Sequence, residues 1–326
     1  MADRPRVFID GHVGTTGLRI RDWLQDRADL ELLSLDESRR KDPSARRELL
    51  EAADLAVLCL PDQAAREAAA WLEDSGTRLI DASTAHRVHE SWVFGLPEMS
   101  DDQPGQQTQR EAIRAARRVS NPGCYPIPVV LTLRPLIEQG LVAADALVSV
   151  RGFSGYSGGG RAMIERWQST GSGLLNLVHD APYALDRVHK HIPEITRFSL
   201  LERPPAFVPS VLPFRTGMRV EVVLHEGMLA RGASGKSIWE VLRDRYADEP
   251  FVRLHPLREP LDLDERGLDP RACDGTNRIE LHVIPNPAGH VLLVGVLDNL
   301  GKGAAGTAIQ NLNLMLGLAE TEGLRA

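Results

Sequence analysis

The sequence predicts an α/β protein of two domains. A parallel sheet with helices on its faces comes first, and an α+β domain with a largely antiparallel or mixed sheet follows. Three observations carry this. Short apolar strands alternate with helical stretches over residues 7–81. Strand-like runs punctuated by prolines dominate from residue 146 onward. And 326 residues exceed one ordinary core, so two apolar interiors are expected.

The first strand is Val7-Phe8-Ile9-Asp10, and it leads into Gly11-His12-Val13-Gly14-Thr15-Thr16-Gly17 ahead of an amphipathic stretch from Leu18 to Leu24. A strand, a glycine turn and a helix give the Rossmann-like arrangement in which backbone N–H groups and a helix N-terminus cradle a pyrophosphate. Gly11, Gly14, Thr15, Thr16 and Gly17 are the predicted dinucleotide contacts. The spacing is G-x-x-G-x-x-G, and a bare glycine turn is as often structural as functional. Context supports the functional reading: further strands at residues 30–35, 55–60 and 78–81 alternate with helices at 44–53 and 63–73.

After the second strand, Asp36 and Glu37 stand where a carboxylate would meet an adenosine ribose, and Ser38, Arg39, Arg40 and Lys41 follow at once. Three adjacent cations neutralise a 2′-phosphate, which predicts NADP in preference to NAD; a solvated charged loop is the alternative. The fourth strand ends in Asp81-Ala82-Ser83-Thr84-Ala85-His86-Arg87, a polar loop where Arg87 can hold a phosphate bidentately and Ser83 can touch the cofactor. A glutamine-rich stretch from Ser100 to Gln109 reads as a surface loop, and residues 110–118 as a helix.

Asn121-Pro122-Gly123-Cys124-Tyr125-Pro126 then combines two turn-forming pairs with an apolar helix over residues 127–136. Cys124 is placed at a helix N-terminus, where the dipole favours a thiolate; on this segment alone a packing role is equally compatible. Residues 146–150 form the next strand, which is expected to end in the glycine loop from Arg151 to Arg161. Such a loop lets backbone pass close to a ligand, or serves as a hinge. His189 and His191 lie two apart, so in an extended segment both rings share a face. No third ligand at metal-site spacing accompanies them, and an acid–base role near the cysteine is the better expectation; no metal is predicted.

Strands are expected at residues 208–212, 218–225, 278–284 and 291–297, with a helix at 236–244. Residues 250–274 have no readable pattern. Asp298-Asn299-Leu300-Gly301-Lys302-Gly303 leads to a closing helix over 304–318, with Ile309, Leu312 and Leu316 at helical spacing. The expected domains are residues 1–120, joined by the C-terminal helix from about 299–326, and residues 121–298.

Composition narrows the partners. A net charge of −7 argues against a nucleic-acid surface and for small molecules. Three cysteines without a C-x-x-C pair indicate neither a disulfide framework nor a zinc knuckle. No apolar run reaches the roughly 18 residues of a membrane span, and no signal-like region precedes Val7, so a cytoplasmic protein is expected.

With these parts in order, the chain resembles the N-acetyl-gamma-glutamyl-phosphate reductase family in its shorter form, within the semialdehyde dehydrogenase group. The matching motifs are the 11–17 turn, Asp81 to Arg87, Phe94-Gly-Leu-Pro-Glu98, the 121–126 turn, Ser154-Gly-Tyr-Ser-Gly-Gly-Gly-Arg161, His189-Lys-His-Ile-Pro-Glu194 and Asp298 to Gly303. They span nearly the whole chain. The resemblance implies reduction of an acyl phosphate by NADPH in arginine biosynthesis, with Cys124 as nucleophile and His191, in preference to His189, as proton carrier. It implies that Arg87 holds the departing phosphate, that Asn121, Ser154, Arg161 and His189 meet substrate, and that Ser157, Gly158, Gly159 and Asn299 border the nicotinamide. A homodimer or homotetramer is implied as well. Aspartate-semialdehyde dehydrogenases look similar but carry glutamine where this chain has Ser154. That enzyme, and a non-catalytic dinucleotide-binding regulator, are the rival expectations.

Overall fold

The computed structural model describes residues 4–99, 107–257 and 267–326. Residues 100–106 of the expected glutamine-rich loop, and 258–266 of the stretch without a pattern, lie outside them. The chain divides into two units, one ending at Pro122 and resuming over Ala304–Arg325, the other being Gly123–Gly303.

The first unit holds β1 (Arg6–Asp10), α1 (Thr15–Leu24), β2 (Glu31–Leu33), α2 (Pro43–Ala52), β3 (Leu55–Leu58), α3 (Asp62–Trp71), β4 (Arg78–Asp81), β5 (Val93–Phe94), α4 (Gln109–Ala115) and β6 (Arg118–Ser120). The strands form one sheet in the order β2-β1-β3-β4-β6-β5, with every pair parallel. Parallel strands need cover on both faces, and the alternation in sequence supplies it. Val7, Ile9, Val57 and Ile80 point to one apolar cluster, while Phe8, Ala56, Leu58 and Leu79 point to the other. The second cluster is closed by Leu50 of α2 and by Ala68 of α3. The first is closed by Ile20 and Leu24 of α1 and by Ala308, Ile309 and Leu312 of a helix at the far end of the chain.

The helix expected over 110–118 stops at Ala115. Arg118, Val119 and Ser120 are instead drawn into the sheet, where β6 pairs with β4 on one side and β5 on the other.

The second unit contains α5 (Pro126–Glu138), β7 (Ser149–Gly155), α6 (Gly160–Gln168), β8 (Ala181–Pro182), α7 (Ile192–Phe198), β9 (Ala206–Leu212), β10 (Met218–Leu224), α8 (Gly235–Tyr246), β11 (Val252–Leu254), β12 (Ile279–Pro285) and β13 (Val291–Leu297). Its sheet runs β11-β12-β13-β10-β7-β9-β8 and is mixed: β7 with β9 and β11 with β12 are parallel, and the other pairs antiparallel. α5 lies on this sheet, its residues 126–133 all buried. Gly295 of β13 admits it, since a Cβ there would stand 2.4 Å from Pro128 Cβ.

One expectation is corrected here. β7 does not stop at residue 150 but continues to Gly155, followed by a 3₁₀ turn over Tyr156–Gly159. Gly152 is glycine because the Tyr125 ring fills its side-chain space, a Cβ there falling 2.2 Å from Cε1. Gly155 makes room for the Arg215 carbonyl. These glycines therefore serve close packing within a strand, not a loose loop.

Past Gly303 the chain passes through a π turn (Gly301–Ala305) into α9 (Gly306–Met315), every residue of which is buried. Among the described residues no helix is long and apolar enough to cross a membrane.

Candidate active site

In the first unit the glycine turn has the form a pyrophosphate requires. Gly11 has φ +91°, and a Cβ there would stand 2.3 Å from the Cys59 carbonyl oxygen, so only glycine lets β1 turn beside β3. Gly17 sits against the Gly11 carbonyl, where a Cβ would approach to 2.5 Å. Gly14 is the N-cap of α1 and contributes no side-chain cap, so the first N–H groups of Thr15–Leu24 have no side chain over them from that position. Gly11, Gly14, Thr15, Thr16 and Gly17 thus fit a dinucleotide phosphate.

Ser38 and Arg39 lie in a 3₁₀ turn over Glu37–Arg39. Arg40 pairs with Glu37 at 2.8 Å and Arg39 with Asp42 at 3.3 Å. Both guanidiniums are partly exposed and held by local carboxylates that a 2′-phosphate could replace.

The loop after β4 is organised by Asp81, which is fully buried. Its carboxylate accepts from Ser83 N at 2.9 Å and Ser83 Oγ at 2.8 Å, and lies 2.6 Å from His86 Nδ1. His86 in turn stacks on Trp92, with centroids 4.2 Å apart and planes 9° apart. Ser83, expected at the cofactor, is thereby engaged inside the loop. The loop delivers Arg87, whose Nε donates to the Asn121 carbonyl at 3.1 Å and whose Nη2 donates to Ala82 O at 3.3 Å. Asn121 is buried, its Nδ2 donating to Ala304 O at 3.0 Å and its Oδ1 accepting from Asn311 at 3.2 Å.

In the second unit Cys124 is half-buried just ahead of α5. The turn before it is held by Glu194, whose Oε2 accepts from Gly123 N at 3.0 Å, and whose Oε1 lies 4.0 Å from His191 Nε2. Glu194 is 1% exposed and His191 5%, so the carboxylate and the ring face each other away from bulk water. One buried carboxylate therefore holds the cysteine turn and faces the histidine.

The two histidines do not lie in an extended segment. His191 is the N-cap of α7 with helical φ and ψ, and Pro193 sits in the first turn of that helix. The rings still meet, 4.8 Å apart at 78°, and both border Tyr125, at 5.9 Å for His189 and 5.8 Å for His191. His189 is constrained at both nitrogens: Nδ1 accepts from His191 N at 3.2 Å, and Nε2 stands 3.4 Å from Tyr183 Oη. Burial pushes the Tyr183 phenol up to about 12 and that of Tyr125 well above its ordinary value, so both remain protonated donors at neutral pH.

Ser154, Ser157, Gly158 and Asn299 come together. Asn299 donates from Nδ2 to Ser157 Oγ at 2.9 Å and accepts from Gly217 N at 2.9 Å. A Cβ on Gly158 would stand 3.0 Å from Ser154 Oγ and 3.3 Å from Asn299 Nδ2. Gly159 precedes α6 as its N-cap. Gly303 lies against the cysteine, where a Cβ would fall 2.8 Å from Cys124 Cβ. Arg161 stands apart from this group: its side chain is 70% exposed and paired with Glu165 at 2.8 Å.

Glu194 is the functional residue that reasoning from the sequence passed over. Its signal was position i+3 from His191 at a helix start, the spacing at which side chains meet. Elsewhere, His255, Glu280 and His282 offer ligand atoms within 4.8 Å of one another. The two rings stack at 4.1 Å and 15°, and His255 Nε2 already lies 2.9 Å from Glu280. Arg278 also occupies Glu280, at 3.2 Å.

Comparison with known proteins agrees with this division. Residues 6–106 match the model of the semialdehyde dehydrogenase NAD binding domain, and residues 124–299 that of the semialdehyde dehydrogenase dimerisation domain. The chain is 44% identical to N-acetyl-gamma-glutamyl-phosphate reductase 2 of Nostoc sp., covering 99% of this chain and 100% of that one. It is 45% identical to N-acetyl-gamma-glutamyl-phosphate reductase of Burkholderia cenocepacia, covering 96% and 97%. Among solved structures, aspartate semialdehyde dehydrogenase II from Vibrio cholerae has a TM-score of 0.73 at 18% identity, covering 97% of this chain and 99% of that one. Aspartate semialdehyde dehydrogenase with NADP from Candida albicans has a TM-score of 0.65 at 12% identity, covering 96% and 98%. These likenesses are of fold.

Proposed function

The chain belongs to the N-acetyl-gamma-glutamyl-phosphate reductase family, and we propose that it works as one through a thioester on Cys124. Its reaction reduces N-acetyl-L-glutamyl 5-phosphate to N-acetyl-L-glutamate 5-semialdehyde and phosphate, an oxidoreductase step in arginine biosynthesis. NADP is held by the 11–17 turn, by Ser38, Arg39 and Arg40, and by Ser157, Gly158 and Asn299; when bound in its reduced form it supplies the hydride.

The residues divide the chemistry as follows. The Cys124 sulfur forms a bond to the acyl carbon while the carbon–oxygen bond to phosphate breaks, and phosphate leaves with that electron pair. Arg87 carries the charge of the departing phosphate, a bidentate task for a guanidinium. His191 takes the thiol proton as the sulfur attacks and returns a proton when the aldehyde leaves. Glu194 steadies the imidazolium and holds Gly123, while His189, tied at both nitrogens, orients its neighbour. The buried ring of Tyr125, beside both histidines, keeps water from this side of the thioester. The observation that carries the reading is Glu194 shared between the cysteine turn and His191.

The enzyme acts in the cytoplasm as a homodimer or homotetramer; the match of residues 124–299 to a dimerisation domain supports assembly. The test is the reverse reaction, phosphate-dependent reduction of NADP by N-acetylglutamate 5-semialdehyde. Cys124→Ser should lower its rate at least ~10³-fold, the scale seen when a nucleophile is removed. Full activity in that variant overturns the covalent route.

A further inference from the structure

We propose that Asn311 of α9 is a positioning residue for phosphate, acting through Asn121 on Arg87; this rests on the reading of Arg87 given above. Asn311 is wholly buried in a helix that contributes no other group to the chemistry. Its Nδ2 donates both to Gly95 O at 2.8 Å and to Asn121 Oδ1 at 3.2 Å. Asn121 Nδ2 donates onward to Ala304 O at 3.0 Å, and the Asn121 carbonyl accepts from Arg87 Nε at 3.1 Å. The guanidinium thus rests on a carbonyl whose own residue is held at both side-chain atoms.

The fit is close. A Cβ on Gly95 would stand 2.3 Å from Asn311 Nδ2, so the loop before Pro97 has been kept bare to admit this amide. An apolar helix could pack on the same sheet without it, as Ala308 and Ile309 do. Burying an amide costs free energy unless its polar atoms are partnered; here Nδ2 is met twice, by a turn carbonyl and by Asn121, whose own carbonyl accepts from Arg87, whereas Oδ1 has no partner among the described residues. A guanidinium held by a rigid carbonyl meets phosphate already aimed, and the gain appears in phosphate affinity.

The experiment measures the reverse reaction with Asn311→Ala, Asn121→Ala and the double variant, alongside Cys124→Ser. Asn311→Ala should raise KM for inorganic phosphate ~10-fold with KM for NADP within about twofold, because the strut touches Arg87 and not the glycine turn. If Asn311 acts through Asn121, the double variant should be no worse than Asn121→Ala alone. Unchanged phosphate KM, or effects of the two substitutions that multiply, overturns the proposal. Should Asn311→Ala fail to fold, Asn311→Ser keeps a polar group too short to reach Asn121 and carries the same expectation. Full activity in Cys124→Ser would instead refute the covalent route while leaving the strut to be judged on phosphate KM.

Discussion

Asp81 and Glu194 are built from the same parts and do different things. Each is a buried carboxylate that accepts a backbone N–H and faces a buried histidine. Asp81 has His86 at 2.6 Å, and the ring is sandwiched flat against Trp92. Glu194 has His191 at 4.0 Å, with Tyr125 and His189 only edge-on or tilted beside it. The tight pair has no freedom left and serves to shape the loop that carries Arg87. The loose pair leaves the imidazole able to take up and give back a proton while the carboxylate stabilises its charged form. Distance, more than residue type, separates a brace from a reagent.

The sharpest way to break this contrast is to neutralise each carboxylate. Glu194→Gln keeps an acceptor for Gly123 N but removes the charge facing His191, and should lower kcat ~10²-fold, the scale of general acid–base catalysis, with little change in substrate KM. Steady-state kinetics decide it: a loss under threefold would make Glu194 a brace like Asp81. For Asp81→Asn the expected order is reversed. Stability should fall by about 1–3 kcal/mol, the cost of upsetting hydrogen bonds to a buried charge, while kcat stays within a few-fold. Denaturant titration beside the kinetic assay checks it, and a large kcat loss in a stable variant would give His86 a part in the chemistry.

The smallest effect concerns the thiols. Burial pushes Cys273 up to about 11, and burial with Asp81 and Asp10 pushes Cys59 up further still. Both stay neutral when folded but ionise in the unfolded chain above the ordinary thiol value of about 8.5. The stability they contribute is therefore full below that value and declines as pH rises toward 11. At pH 8, iodoacetamide should label Cys124 in the native protein, react more slowly with the partly accessible Cys59 because its thiol stays neutral, and reach the buried Cys273 only after unfolding. Mass spectrometry of the peptides reads this directly, and native labelling of Cys273 would contradict its burial.

The same contrast explains what could be read in advance. The parallel sheet and the glycine turn leave local marks, because alternating strands and helices and a residue at φ +91° each demand particular amino acids nearby. Cys124, His189 and His191 were visible as residue types in telling surroundings. Glu194 stood in the histidine motif, yet its meaning depends on Gly123, 71 positions earlier, and no local rule reaches that far. Gly152 and Gly155 were misread as a loop because glycine chosen for a neighbour's bulk looks the same as glycine chosen for freedom. Arg161 follows the buried residues 154–157 but turns outward to Glu165, as the exposed start of α6 allows.

The place of α9 has a consequence for how the protein is made. Val7, Ile9, Ile20 and Val57 belong to the cluster that Ala308, Ile309 and Leu312 complete. A growing chain emerging from the ribosome presents the first sheet early, with one apolar face covered only in part by α1, and must synthesise the whole second unit before α9 exists to complete it. The second unit, continuous from Gly123 to Gly303, can close on itself first. Completion of the nucleotide-binding half thus waits on the second unit, and a ribosome that stops short of Ala304 releases a chain with an exposed apolar surface.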